Sequence, residues 1–557
     1  MRHPIVLASL ALIGPAAAQT ALLREADPSP GTAVGQTIDG IGTPAVNQQG
    51  GYACSIDTAG SSGDQWLFWG SLTGGPGVTL REQGTVGTLE QTIFVDDFGI
   101  TNSAVAYGGS GTDTMTGTAG IQAVWLDDAL IMSENAPVPN ATGFWTFAQS
   151  VGVTVSGEPY FRGGSAVSPG GATDHRGLYF GVPATAIYAT GETLPNMPLP
   201  LSEQAIDADF RISANGTHSI VPVDLDSGTT TDDGAMAIDQ VGLVLGGGLV
   251  REGEPIAASI GGLGEAWDDF DFCGINEAGD YIFTGDTDGG SSTDEFILRN
   301  GAFWAREGDI LGGELLSGSI RGASMNESGN IAFVWGIDVG PGVPDEALFL
   351  EDQVVLREGD AVDWDGDGAI DPDVTIRSFT GFNTVTLGPD GSIYFTADVD
   401  VNGVTLEGFF VLAGESICSN YCTANVNSSG VTGSLFAAGD ATVAQNDVTL
   451  AASNLPQDSF GFFITSLTQG FVANPGGSQG NLCLSGSIGR YVGPGQIQSS
   501  GSEGAISLVI DLTSMPQPLG SVAVQPGESW NFQLWHRDLV MGNATSNFTN
   551  GCSVLFN

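Results

Sequence analysis

From residue 326 to residue 357 apolar and polar positions alternate in short bursts cut by turns. Asn326-Glu327-Ser328-Gly329 is a turn signal, because a short polar side chain bonds back to the chain and glycine accepts positive φ. The alternating stretch Asn330 to Trp335 reads as a strand, as do Glu346 to Leu350 and, after the tight turn Glu351-Asp352-Gln353, Val354 to Arg357. A longer loop then leads to the strand before the next such turn. The pattern predicts four short antiparallel strands per unit. The unit ending near residue 306 places Asn300-Gly301 in the equivalent hairpin turn, a type I′ signal. Helical periodicity is absent almost everywhere.

The unit recurs, and two markers count it. The first is Arg-Glu-Gly-Asp at Arg306 and Arg357, with near copies Arg24-Glu25-Ala26-Asp27, Arg81-Glu82-Gln83-Gly84 and Arg251-Glu252-Gly253-Glu254 and degraded copies at Ser133-Glu134-Asn135, Thr190-Gly191-Glu192 and Ala413-Gly414-Glu415. Successive copies lie 51 to 61 residues apart. The second marker is the turn: Asn47/Gly50, Asp96/Gly99, Thr154/Gly157, Ser213/Gly216, Asn276/Gly279, Asn326/Gly329 and Gly388/Gly391. Seven units of four strands predict a seven-bladed β-propeller. An open solenoid of the same units is the competing architecture. Ala21 to Glu25 is a lone copy of the strand before the Arg-Glu pair, with no unit ahead of it. It is expected to dock beside Phe409-Phe410-Val411-Leu412 and seal the ring, leaving only short, protected edges.

The period stops near Ile417. Residues 418–557 read as strands without repetition, a β-sandwich behind a propeller spanning 19–417. In the segment Trp530 to Arg537, alternation sends Trp530, Phe532 and Leu534 to a core face. Asn531, Gln533, Trp535 and Arg537 go to the other, where Trp535 either packs or stacks on a sugar.

Composition narrows the setting. Residues 1–18 carry a positive start, an apolar stretch and Ala16-Ala17-Ala18, the form of a secretory signal cut before Gln19. The expectation is an exported protein without a transmembrane anchor. Net charge is −50, and none of the 14 basic residues is lysine. Such a surface repels nucleic acid and anionic membranes and attracts divalent cations. Of six cysteines, Cys418, Cys422, Cys483 and Cys552 fall in the tail, where export permits disulfides and three pairings are open. Cys54 occupies the slot held by Phe161, Ile220, Phe283, Phe333 and Phe395 in other units, so it reads as a buried free thiol.

The repeats resemble secreted proteins of environmental bacteria built on Asn-x-x-Gly … Phe … Arg-Glu-Gly-Asp units. The tail resembles a C-terminal module of exported planctomycete-type proteins. It does so through Tyr421-Cys422, Asn427-Ser428, Cys483-Leu484, Trp530 to Asp538 and Ser546-Asn547-Phe548-Thr549. These resemblances imply a fold and an exported location and say nothing of chemistry.

The sharpest chemical signal is the loop Asp363 to Asp373. Set against a calcium-binding loop, Asp363, Asp365 and Asp367 take positions 1, 3 and 5, Gly368 the bend, the Ala369 carbonyl position 7 and Asp371 position 9. Position 12 is Val374, and Asp373 is the nearest substitute. Without flanking helices the loop is not an EF-hand. The expectation is a structural Ca2+ bracing the connection after the sixth blade. Two further acidic groups, Asp224/Asp226 with Asp232/Asp233 and Asp286/Asp288 with Asp294, lack this spacing and read as solvated loops. The recurring arginines are expected to pair with acids of their own or the next blade; the alternative is a guanidinium ring around one mouth. His175, His218 and His536 fall in separate units, and no nucleophile elbow, zinc motif or phosphate loop occurs. No catalytic residue or cofactor site is assigned beyond the metal loop. The chain thus reads as a monomeric, non-catalytic binding or structural protein of the envelope or extracellular matrix, meeting a cell-surface protein or polysaccharide. The alternative is a carbohydrate-active enzyme, a glycoside hydrolase or lyase, with carboxylates at a propeller mouth.

Overall fold

The computed structural model describes residues 19–557, apart from 31–34, 48–49, 60–66, 73–76, 83–88, 114–117, 128, 140, 204–205, 207–208, 328, 341–345, 368, 380–383, 390, 413–416, 444–445, 502–503 and 541. The signal-like segment, the Gly84 turn, Gly368 and the Ala413-Gly414-Glu415 copy therefore lie outside the described residues. Strands dominate, and the helices among the described residues are two three-residue 3-10 turns.

Seven antiparallel sheets follow one another along the chain. They run from Thr37–Val46 to Val78–Glu82, Leu89–Ile100 to Ala129–Ser133, Phe144–Val153 to Thr185–Ala189, and Arg211–Ile212 to Val241–Gly242. The last three run from Trp267–Ile275 to Ala302–Arg306, Ile310–Leu311 to Gln353–Arg357, and Ala361–Val362 to Val404–Leu412. In the first six, spatial order repeats chain order, each strand pairing with the next through a hairpin. Each sheet shares an apolar core with the next. Ala53 and Phe68 meet Tyr107 and Trp125, for example, and Ile282 and Ile297 meet Phe333 and Trp335. The seventh core joins the last sheet to the first, through Tyr394 and Phe409 against Tyr52, Cys54 and Trp69. A stack of sheets has no such core, so the ring is closed: the fold is a seven-bladed propeller.

Closure uses the lone strand as expected. Gln19–Arg24 pairs antiparallel with Val404–Leu412, setting Thr20 opposite Val411 and Ala21 opposite Phe410. Leu23 enters the core shared by the last and first blades.

The Arg-Glu-Gly-Asp marker is the step from one blade to the next. Its fourth residue donates an N–H to the first residue's carbonyl, as Asp309 does to Arg306 and Asp360 to Arg357. Its third residue takes positive φ: Ala26 67°, Asn135 64°, Gly253 73°, Gly308 89°, Gly359 86° and, in the turn that runs from Ala189 to Glu192, Gly191 81°. That is the demand a type II turn makes at its third position. The same residue's N–H then bonds into the next blade, as from Gly253 to Trp267 O and Gly359 to Ile376 O. The glutamates bond to strand backbone: Glu25, Glu134 and Glu252 accept the N–H groups of Glu407, Gln122 and Gly234.

The turn marker joins the innermost strand to the second. Gly50, Gly157, Gly216, Gly279, Gly329 and Gly391 all have φ between 76° and 82°. In the second blade the expected marker fails. Asp96 and Gly99 lie inside the long strand Leu89–Ile100. The turn there is Thr101 to Ala104, made without glycine because Thr101 Oγ1 accepts the Ala104 N–H at 3.0 Å.

The tail forms a sandwich. A seven-stranded sheet containing Phe460–Ser466 and Ser529–Val540 faces the three-stranded sheet Ser434–Asp440, Asp447–Ser453 and Ile506–Ile510. Trp530, Phe532 and Leu534 are fully buried between them. The four tail cysteines pair Cys418–Cys552 and Cys422–Cys483, and Cys54 and Cys273 are free and buried. The other face of the Trp530 strand is also covered. Gln533 donates to Asn481 O and Thr549 O, and Trp535 packs on Phe462 at 5.0 Å. No helix among the described residues is long and apolar enough to cross a membrane.

Candidate functional site: an acidic loop on the closing strand and a charged central channel

Asp363 closes the ring from the other side. Its carbonyl accepts the Ala21 N–H at 2.9 Å and its own N–H donates to Gln19 O at 3.0 Å. The closing strand is thus held between the last blade's outer strand and the acidic loop. Arg24 adds a bond to Trp364 O at 3.0 Å and stands over the Trp364 ring.

Within the loop, Asp363, Asp365 and Asp371 bring one carboxylate oxygen each to within 4.8 Å of one another. Asp363 is fully buried. Backbone bonds orient the group: Asp363 Oδ1 accepts from Gly366, and Asp371 Oδ2 from Trp364 and Asp365. The other expected acids stand outside this cluster. Asp367 Oδ1 is turned to the Ala369 N–H at 2.8 Å, and Asp373 is exposed on the strand Asp371–Ser378. Val374, at position 12, is buried in the core between the last two blades, which explains why no acid stands there. Three carboxylates held this close repel one another unless a cation or proton lies between them, and hard oxygen donors suit calcium.

The recurring arginines form no ring around a mouth. They lie at the outer ends of their blades and pair with acids: Arg24 with Asp27, Arg81 with Asp127, Arg251 with Asp232, Arg306 with Glu265 and Arg357 with Glu314. The histidines also stay apart. His218 pairs with Asp239, His175 with Asp174, and His536 is buried in the sandwich, where desolvation lowers its pKa.

The expected solvated loop at Asp286 and Asp294 is partly a buried acidic belt between blades five and six. Glu295 and Glu307 lie opposite each other at the ends of the neighbouring strands Phe296–Arg299 and Ala302–Arg306, joined by Glu307 N–H to Glu295 O. Their side chains are 8% and 6% exposed, and each keeps an Oε2 without a hydrogen-bond partner. Burial, then the charges of Asp286 and Asp271, push Glu295 up to about 8. The folded state holds a proton that the unfolded chain gives up in the ordinary carboxylate range, so this stability is present at low pH and lost as pH rises through about 8. Glu295→Gln should flatten the melting-temperature curve between pH 6 and 8 and raise stability at the upper end. Thermal scans across pH check this, and an unchanged slope would refute it. The acid pair could have been suspected from sequence, because Asp294-Glu295 abuts the apolar run Phe296-Ile297-Leu298.

The innermost strands of all seven blades enclose a cavity of about 540 Å³ on the ring axis. At one end the turns are knitted together across blades: Asn47 to Asn102, Val155 to Ala214 O, Asn276 to Glu327 O and Asn326 to Gly388 O. Asp97 and Arg211, on their strands, and Asp209, in the turn before Arg211–Ile212, line the channel below these turns. Sequence reasoning missed this trio.

No known protein family matches the chain, and no curated protein does. Among solved structures, the Dos1 propeller is 12% identical, covering 71% of this chain and 96% of that one at a TM-score of 0.31. A Trypanosoma rangeli sialidase with 2,3-difluorosialic acid, a covalent intermediate, is 12% identical over 98% of this chain and 97% of its own at 0.28. A gluconolactonase from Xanthomonas campestris is 10% identical over 72% and 99% at 0.23. The fold assignment rests on strand pairing and the seven shared cores, not on these likenesses.

Proposed function

We propose that this is an exported, non-catalytic binding protein of the cell envelope or extracellular matrix, monomeric, its propeller braced by calcium at Asp363, Asp365 and Asp371. The tail serves it as a stapled accessory module. The observation that supports this reading best is the placement of the acidic loop on the closing strand, through the Asp363 bonds to Gln19 and Ala21. A cation there stabilises the scaffold and takes no part in chemistry. The recurring Arg-Glu-Gly-Asp residues are likewise occupied in turns, caps and ion pairs. Export agrees with the two disulfides. A polysaccharide or surface-protein array, run with calcium and with chelator, tests the reading. Binding that weakens on chelation supports it; binding to nothing on the array, or binding indifferent to chelation, counts against it.

A second reading, a carbohydrate-active enzyme, has one observation in its favour: Asp97 and Asp209 face one cavity. Its test is release of new reducing ends from a bound polysaccharide, abolished by Asp97→Asn.

A further inference from the structure

The channel carries an inference that deepens the binding reading and does not depend on the calcium loop. Small and apolar residues make up much of its wall, with Asp97, Asp209 and Arg211 on the side of blades two and four and Glu327 of blade six at the knitted turns. Asp97 Oδ2 accepts the Ser150 N–H at 2.6 Å, which leaves Oδ1 for the cavity. Burial raises the Asp97 pKa, Arg211 opposes the rise and Asp209 adds to it. Arg211 spends Nη1 on Phe210 O at 2.9 Å and forms no salt bridge among the described residues, so its other N–H groups remain for the cavity. In a chain whose recurring arginines are all paired at the outer rim, this guanidinium is placed differently.

Ser150 has φ of 53°, a left-handed conformation that a non-glycine residue adopts at a cost. The strained residue presents its N–H to Asp97 inside an irregularity of the strand pairing between Gln149 and Gly152. The strain thus helps to fix Asp97 in the channel wall. Cys273 Sγ bonds to Asp209 O at 2.7 Å and ties blade five to the same wall. Asp97 lies four residues before Thr101 at the turn end, roughly 13 Å along an extended strand. The charged group therefore stands within the channel, below the knitted turns. Phe98, Tyr160 and Phe210 add aromatic surface beside it.

We infer that the central channel binds a small neutral polyhydroxylated molecule of the sugar class, held by Asp97 and Arg211. The volume is in the range of ligand pockets, which pair an apolar wall with a few placed polar groups. An anion meets Asp97, Asp209 and a net charge of −50; a cation meets Arg211. A hydroxyl both donates and accepts, so one diol can satisfy carboxylate and guanidinium together.

The test is titration of the full chain with glucose, galactose, mannose and N-acetylglucosamine by calorimetry and ligand-observed NMR. Glucosamine and gluconate serve as charged counterparts. Saturable one-to-one binding of at least one neutral sugar is expected, weakened about tenfold or more by Asp97→Asn and by Arg211→Gln. Thr386→Trp on another wall fills the channel without touching either charge and should abolish binding, which keeps the test sound if one charge variant fails to fold. No saturable binding, tighter binding of a charged counterpart, or binding that survives all folded variants overturns the inference. Binding to arrayed partners that survives Asp97→Asn separates a failed channel from a failed partner reading.

Discussion

Deleting residues 19–24 should cost the propeller about 4 to 6 kcal/mol while leaving the melting of the sandwich in place. The estimate adds roughly 2 kcal/mol for Leu23, which is buried in the core of the last and first blades, to about 1 kcal/mol for each of several main-chain bonds to Val404–Leu412 and Asp363. The deletion also bares the Val404–Leu412 edge, an invitation to association. Calorimetry separates the two transitions. Leu23→Ala should give part of the effect, roughly 2 to 3 kcal/mol. Unchanged propeller melting after the deletion would mean that the lone strand does not seal the ring.

Removing calcium should produce the second largest effect. If calcium binds the folded loop and not the unfolded chain, a hundredfold excess over the dissociation constant stabilises by about 2.7 kcal/mol. Chelation should lower the propeller melting temperature by that equivalent and quicken exchange of the Ala21 amide, which is bonded to Asp363 O. Asp365→Asn, at an exposed member of the trio, should blunt the calcium response with little loss of stability in chelator. Melting that is identical with and without chelator in the unaltered protein would remove the metal from the account.

Much of the ring could be read from the chain because its devices are local. A turn that needs positive φ at its third position selects glycine, and Gly253, Gly308 and Gly359 stand out as a period. The closing strand could be read because its own unit is missing. The second blade's turn was misplaced for the complementary reason: Asp96 and Gly99 mimic the marker, whereas Thr101 makes the real turn with a hydroxyl and no glycine. In the acidic loop the spacing identified Asp363, Asp365 and Asp371 as neighbours. It could not show that Val374 belongs to a core strand and that Asp367 turns to a backbone amide. The channel trio left no local trace. Asp97 and Arg211 come from blades two and four, and only the closed ring brings them to one wall. The same holds for Asn531 and Gln533, polar residues whose burial depends on strands and loops far along the chain.

Ring closure is tested most directly by a cysteine pair across the seam, Thr20→Cys with Val411→Cys, at positions that face each other in the closing pairing. Mild oxidation should convert the folded protein to an internally cross-linked species that migrates faster on a non-reducing gel. Cys54 and Cys273, both buried, should stay reduced. Thiols that remain free at both positions, or links that form only between molecules, would contradict a ring sealed by its first strand.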